Sequence, residues 1–143
     1  MSREIICKAK RKDNNQWIEG YYYKSWGCRN GIRYDVHIIH NYELDEDYII
    51  DIDTLSWFIG KIDINENKIW ENDIVETENG FQLQVVWSDD FNGFLYKNLN
   101  KGYDFMIGKV AELSAYTRSK NVKVIGNIFD GVKSKTRKMS IVA

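Results

Sequence analysis

The stretch DIVETENGFQLQVVW, residues 73–87, decides the fold. Asn79-Gly80 lies at its centre, and this dipeptide is one of the strongest short-range signals for a β-hairpin because both residues tolerate the positive φ of a tight turn. From Phe81 to Trp87, apolar residues alternate with mostly polar ones. Successive side chains of a strand point to opposite faces, so this alternation predicts a half-buried strand. The stretch therefore predicts two antiparallel strands joined by a tight turn.

Further strands are predicted on both sides of this hairpin. Each candidate strand is rich in Ile, Val, Tyr or Trp, and the segments between them carry the Gly, Asn and Asp that form tight turns. The chain contains no proline, so these three residues must build its turns. Residues 11–15 and 27–31 are two such predicted turns. The further predicted strands are residues 3–9, 16–24, 32–40, 68–70, 93–99 and 121–129.

Two segments favour a short helix instead of a strand. In residues 105–116, apolar side chains recur at a spacing of three. Near residue 53, Asp53 or Thr54 is a suitable N-cap for one helical turn. The side chains that these helices would bury are Val110, Leu113 and Tyr116 in the first segment and Leu55, Trp57 or Phe58 in the second. The sequence therefore predicts a mainly β fold (α+β minor) with one or two short helices.

Charge is distributed in three blocks. The 143 residues are 43% hydrophobic and 29% charged, as in a globular domain, and the formal net charge is −1. Residues 1–42 carry +4, residues 43–90 carry −12 and residues 91–143 carry +7. Folding either mixes these blocks into weak surface pairs or leaves a basic face for nucleic acid or an acidic face for a basic partner. Residues 131–143 are basic, and we expect a flexible tail there.

The start of the chain, MSREIICKAKRK, lacks the apolar run of a signal peptide. No other window reaches the roughly 20 apolar residues of a membrane span. We therefore expect a cytoplasmic protein that makes no contact with a membrane. A reducing compartment favours free, buried thiols for Cys7 and Cys28 over a disulfide.

The segment IGKIDINENKIWENDIV begins like a calcium loop, because Asp63, Asn65 and Asn67 offer oxygens at alternate positions. An EF-hand loop that starts at Asp63 requires Gly at its sixth position and a bidentate Glu at its twelfth. Lys68 and Ile74 occupy these positions. The pattern therefore favours a hairpin turn, in which Asn65 and Asn67 adopt positive φ or bond to the turn backbone.

The other candidates for chemistry are His37, His40, the two cysteines and an acidic run. The histidines are three apart in a predicted strand, so they should lie on opposite faces, and their spacing from the cysteines matches no common zinc motif. The chain has no Gly-rich phosphate loop, nucleophile elbow or HExxH helix. We predict no catalytic residue, no metal site and no cofactor. The acidic run reads as a solvated edge and consists of Glu43, Asp45, Glu46, Asp47, Asp51 and Asp53.

Four stretches together resemble the YopX family of phage and prophage proteins: REIICKAKRKDNNQWIEG, IIDIDTLSWFIGKIDINENKIWENDIV, VVW and VKVIGNIFD. The resemblance spans most of residues 3–130. The family centre has an Asp, Thr and Gly pattern, then a Lys-Asp-x-Asn-Gly turn, an aromatic residue, Glu-Gly-Asp and Ile-Val. Glu66 and Asn72 replace turn glycines here, Ile59 replaces a usual Thr, and CKAK replaces a usual Phe-Arg-Ala-Trp. The matching residues are Asp53, Thr54, Gly60, Asp63, Asn65, Ile69, Trp70, Glu71, Asp73, Ile74 and Val75.

The resemblance implies an architecture but no reaction, since the family has no established biochemical activity. It implies an SH3-like β-barrel over residues 68–130 in the C-terminal half. Residues 1–67 would then form N-terminal β-hairpins packed against that barrel, and residues 131–143 the basic tail.

Two binding functions and one catalytic function remain open. The first is a noncatalytic phage protein that binds a protein partner or associates with itself through Trp57, Phe58 and Trp70, unless these aromatic residues pack in the core. The second is nucleic-acid binding, with base stacking and basic ends. An enzyme would need a pocket that gathers Cys7, His37 or the acidic run. The candidate nucleic-acid-binding residues are Tyr21, Tyr22, Tyr23, Lys133, Lys135, Arg137 and Lys138.

Overall fold

Strands are the only regular elements in the part of the chain that the computed structural model describes, residues 4–99, 107–109 and 122–132. Within those ranges, no helix has the length and apolarity to cross a membrane. The strands are β1 (Cys7–Arg11), β2 (Trp17–Arg29), β3 (Ile32–Asn41), β4 (Glu46–Ile62), β5 (Lys68–Trp70), β6 (Asp73–Glu76), β7 (Gln82–Ser88), β8 (Gly93–Asn98), β9 (Ile107–Lys109), β10 (Lys123–Asn127) and β11 (Gly131–Val132).

The chain divides into two compact units between Phe58 and Ile59, within strand β4. The division proposed from the sequence, after residue 67 and again after residue 130, stays a prediction. Residues 133–143, the expected basic tail, lie outside the described part of the chain.

The N-terminal unit is a closed four-stranded antiparallel barrel. Strand β1 pairs with β2, β2 with β3 and β3 with β4, and β4 returns to pair with β1. Gly20 permits β2 and β3 to approach each other, because an added Cβ there would lie 2.0 Å from the carbonyl oxygen of His40. The small core of this barrel consists of Cys7, Ala9, Ile39 and Ile50.

The C-terminal unit contains a six-stranded antiparallel sheet in the order β11-β10-β6-β7-β8-β9. The predicted Asn79-Gly80 hairpin is confirmed, since the N–H of Thr77 donates to the carbonyl oxygen of Phe81 at 2.9 Å. The register places Val75 opposite Leu83, so the apolar face of the sheet is continuous across the two strands. The core of this unit consists of Ile59, Ile69, Val75, Leu83, Val85, Tyr96 and Val122.

Both helix predictions fail where the structure describes the residues. Residues 53–58 belong to strand β4, because β1 pairs with β4 on both sides of a register shift, at Asp51 and again at Ser56 and Trp57. Ile107–Lys109 is a strand that pairs with β8, and the rest of the predicted helix 105–116 lies outside the described residues. The ring of strands that the structure closes is the N-terminal one. The SH3-like form of residues 68–130 stays a prediction.

Candidate functional site

The segment that carries most of the family-like residues, called the motif segment here (residues 53–75), directs its polar side chains to the backbone. The carboxylate of Asp63, 2% exposed, accepts the N–H groups of Asn65 at 2.9 Å, Asn67 at 2.8 Å and Val124 at 2.8 Å. Its oxygens therefore hold the 63–67 turn and join it to β10. Among the described residues, no three His, Cys, Asp or Glu side chains are grouped as metal ligands. A cation at Asp63 would have to displace these amide donors.

Positive φ occurs in this segment where turn glycines are replaced. Glu66 has φ of 66° and Asn72 has φ of 73°, whereas Asn65 and Asn67 do not adopt positive φ. The alternative prediction was that the side chains of Asn65 and Asn67 bond to the turn backbone. It is also wrong, because the side chain that accepts the backbone N–H groups of this turn is that of Asp63. Asn tolerates the left-handed region better than Glu does, so Glu66 holds the more strained position of the two.

Two further side chains of the motif segment bond to the backbone. Buried Asp73 accepts the N–H of Trp70 at 2.8 Å. Thr54 accepts the N–H of Lys10 at 2.8 Å and donates its hydroxyl to the carbonyl oxygen of Asp51 at 2.7 Å. The two bonds of Thr54 lie beside the point where the pairing of β1 with β4 shifts register. The family-like polar residues Thr54, Asp63 and Asp73 thus stabilise turns and a register shift.

The aromatic residues proposed for partner binding are less exposed than that hypothesis requires. Phe58 is 8% exposed and Trp70 is 4% exposed, so both are buried, as core packing predicts. Trp57 is partly buried and meets the edge of the Tyr22 ring at a centroid distance of 6.3 Å. Of the two alternatives left open by the sequence, core packing is therefore confirmed for Phe58 and Trp70.

The three consecutive tyrosines alternate between the faces of β2. Tyr22 packs against the N-terminal core, and its hydroxyl lies 2.7 Å from Nδ1 of His37, while burial raises its pKa. Tyr21 and Tyr23 are exposed on the opposite face. The structure therefore brings only Tyr21 and Tyr23 to the surface, and the basic candidates Lys133, Lys135, Arg137 and Lys138 lie outside the described residues.

Tyr21 and Tyr23 belong to a larger apolar surface, the outer face, formed by Tyr21, Tyr23, Ile38, Tyr42 and Ile49. Tyr23, Ile38 and Ile49 are cross-strand neighbours, and the rings of Tyr21 and Tyr42 are 5.5 Å apart. All but Ile38, which is partly buried, are exposed. Three neighbouring strands of the N-terminal unit, β2, β3 and β4, therefore contribute to this apolar surface.

A polar cluster lies beside the outer face. His40 Nδ1 lies 2.8 Å from one oxygen of Asp47, and the hydroxyl of Tyr23 donates to the other at 3.1 Å. The hydrogen bond from His40, followed by that from Tyr23, lowers the pKa of Asp47. His37 lies on the other face of β3, as the sequence predicted. The cluster fixes the tyrosine ring that borders it.

The cysteines are free and differ in environment. Cys7 is fully buried, and burial raises the pKa of its thiol to about 12. Such a thiol stays neutral near pH 7 and is a poor nucleophile. Cys28 is exposed, so the expectation of a buried thiol is wrong for that residue.

The residues that sequence reasoning missed lie at the end of the β2–β3 hairpin. In the described pairings, residues 24–29 and 32–37 pair only with each other, and we call residues 24–37 the arm. Trp26, 57% exposed, and Tyr34, 47% exposed, lie there with Arg33. The sequence of this segment does contain a signal, since aromatic and basic residues alternate in it. The two glycines Gly27 and Gly31 instead favoured the interpretation of residues 27–31 as one long turn.

Comparison with known proteins gives one family. A family model described as "YopX protein" matches residues 8–133, which is most of the chain. Among curated proteins, none matches.

Proposed function

Because that match covers most of its length, the chain belongs to the YopX protein family, and we propose that it is a noncatalytic binding module of a phage or prophage that acts in the host cytoplasm. We propose further that its outer face binds a protein partner or a second copy of the chain, and that residues 68–130 have the form of an SH3-like barrel.

The observation that carries the binding function is the exposure of several large apolar side chains on one sheet face. Tyr21, Tyr23 and Ile49 are exposed although they are neighbours across paired strands. A contiguous apolar patch rimmed by polar groups is typical of a protein interaction site, and here His40 and Asp47 supply that rim. Burial of such a surface against a partner is favourable, because it removes apolar side chains from water.

The noncatalytic part of the proposal is supported by what the reactive groups bind. The Asp63 carboxylate accepts backbone N–H groups, and the Cys7 thiol is held neutral by burial. Both groups therefore serve the fold, and neither is poised as a nucleophile or general base.

Size-exclusion chromatography with light scattering tests self-association, and capture from nuclease-treated lysate of induced host cells tests a protein partner. Ile49→Lys places a charge on the outer face and should abolish the association or the capture. Ile62→Lys, at an exposed isoleucine outside the outer face, is the matched control and should retain it. A chain that stays monomeric at its highest soluble concentration and captures the same proteins with and without Ile49→Lys contradicts the proposal.

Nucleic-acid binding is a second candidate, because the arm places an arginine over an exposed tryptophan. The guanidinium of Arg33 lies 4.5 Å from the centre of the Trp26 ring. Tyr21 and Tyr23 are exposed near the base of the arm, whereas the Tyr22 hydroxyl is engaged by His37.

A further inference from the structure

The arm is a two-stranded ribbon whose faces are both open to solvent. Its strands are joined at Asn30 and Gly31, which have φ of 53° and 77°, as in the two-residue turns that suit the twist of a hairpin. The register pairs Trp26 with Asp35 and Gly27 with Tyr34, so the two exposed aromatic rings lie on opposite faces. The ribbon therefore presents one ring on each side.

Each ring is held in a defined position. The Arg33 guanidinium stacks on Trp26 at 4.5 Å. On the other face, the Tyr34 ring covers Gly27, since an added Cβ at Gly27 would lie 2.6 Å from that ring. Rings that are fixed before binding lose little conformational entropy when a ligand stacks on them.

The arm is also positively charged on a chain whose net charge is −1. It carries three basic residues, Lys24, Arg29 and Arg33, and one acidic residue, Asp35. Lys24 and Asp35 are 4.0 Å apart and both exposed, so their attraction is weak and leaves Lys24 accessible to a stronger anion. The excess of positive charge complements a polyanion.

We propose that the arm binds single-stranded nucleic acid, with bases stacked on Trp26 and Tyr34 and phosphates held by Lys24, Arg29 and Arg33. Basic groups that track a backbone beside exposed aromatic rings are the general means of binding single strands. A duplex keeps its base faces stacked and offers none to these rings. This inference rests on the second candidate function and assigns it to residues at the tip of the hairpin.

The test is fluorescence anisotropy of labelled oligothymidylate and oligouridylate with the full-length chain over a range of salt concentrations. Trp26→Ala should weaken binding about 10-fold, as the loss of one stacked base does, whereas Trp26→Phe should retain most of the affinity. Arg33→Ala should weaken binding and reduce the slope of log affinity against log salt by about 0.7. A preference for either oligonucleotide agrees with the proposal and identifies DNA or RNA as its ligand.

Controls separate charge and aromatic content from position. Trp87→Ala removes an exposed tryptophan of the C-terminal unit, and Lys97→Ala removes an exposed positive charge there. Both should leave affinity within about twofold of the unmodified chain. Equal losses from these controls and from the arm variants would overturn the inference.

The remaining outcomes distinguish the inference from the functions on which it draws. A variant that combines alanine substitutions tests whether the basic tail binds the oligonucleotides; its substituted residues are Lys133, Lys135, Arg137 and Lys138. If this variant does not bind while the arm variants bind as tightly as the unmodified chain, the arm inference fails and nucleic-acid binding by the chain survives. If the unmodified chain does not bind either oligonucleotide at low salt, the arm inference and the nucleic-acid-binding function both fail. Protein binding by the outer face is tested separately with Ile49→Lys. Duplex binding that is as tight as single-strand binding and insensitive to Trp26→Ala also overturns the inference.

Discussion

The motif segment and the arm both consist largely of β-strand and both contain aromatic and charged residues, yet they direct these side chains oppositely. In the motif segment, Asp63 and Trp70 are buried, and the carboxylate is surrounded by backbone donors. In the arm, Trp26 and Arg33 stack on each other in solvent. The difference indicates that the family-like pattern encodes the scaffold, whereas the binding that we propose lies in a part of the chain outside that pattern.

The largest expected effect comes from removing a buried aromatic side chain of the motif segment. Trp70→Ala should lower the free energy of unfolding by about 4 kcal/mol, because it leaves a cavity in a packed core. Urea denaturation followed by circular dichroism measures this loss. A loss below about 1 kcal/mol would place Trp70 at the surface and break the comparison.

Asp63→Ala should lower the free energy of unfolding by about 3 kcal/mol, since it removes the acceptor of three backbone N–H groups. Asp63→Asn retains one acceptor oxygen and should lose less. Asp53→Ala, an exposed carboxylate of the same segment, is the matched control and should change stability by less than about 0.5 kcal/mol. Equal effects at Asp53 and Asp63 would contradict a structural role of the turn carboxylate.

Thr54→Val should cost about 2 kcal/mol, because it conserves side-chain volume and removes the hydroxyl that bonds to Lys10 and Asp51. Thr54→Ser retains the hydroxyl and should cost less. Thermal unfolding by calorimetry compares the two variants. If the serine variant is the less stable one, packing of the methyl group and not the hydrogen bonds determines the role of Thr54.

Glu66→Gly should stabilise the protein by about 1 kcal/mol, since glycine adopts the positive φ of that position without a Cβ clash. Asn72→Gly should add only a few tenths of a kcal/mol, on the order of 0.3, because Asn already tolerates this region. Asn65→Gly, at ordinary φ, should destabilise instead. Denaturant midpoints of the three variants give the comparison, and stabilisation by Asn65→Gly would refute the φ argument.

The smallest expected effect belongs to the arm. Trp26→Ala should change the free energy of unfolding by less than about 0.5 kcal/mol, because the ring is mostly exposed. The same denaturation experiment as for Trp70→Ala checks it. A loss comparable to that at Trp70 would show that the arm contributes to the fold and would remove the contrast between the two regions.

Local signals made much of the fold predictable. Asn79-Gly80 and the alternation after it specified a hairpin, because a short turn, here closed between Thr77 and Phe81, fixes the register of the strands that it joins. The spacing of His37 and His40 placed them correctly on opposite faces of a strand. Both predictions depend only on residues close in sequence.

Long-range pairing explains what the sequence did not reveal. Residues 53–58 carry a helix cap and apolar spacing, yet they belong to a strand that β1 pairs at Asp51 and again at Ser56 and Trp57. The arm was obscured for a similar reason, since Gly27 reads as a turn residue but lies in a strand beneath Tyr34. At the 63–67 turn, the replaced family glycine at Glu66 was a better guide to positive φ than the asparagines were.

Closure of the N-terminal ring has a consequence for folding. Cys7 pairs with Trp57, about 50 residues further along the chain, so the ring forms only after a large loop of chain has lost its freedom. The β2–β3 hairpin forms without ordering a long loop, because its turn joins strands that are adjacent in the sequence. We therefore expect this hairpin to form early, in about 1–10 μs, and ring closure to limit the folding rate. On the ribosome, β1 would remain without its second partner until β4 has been synthesised.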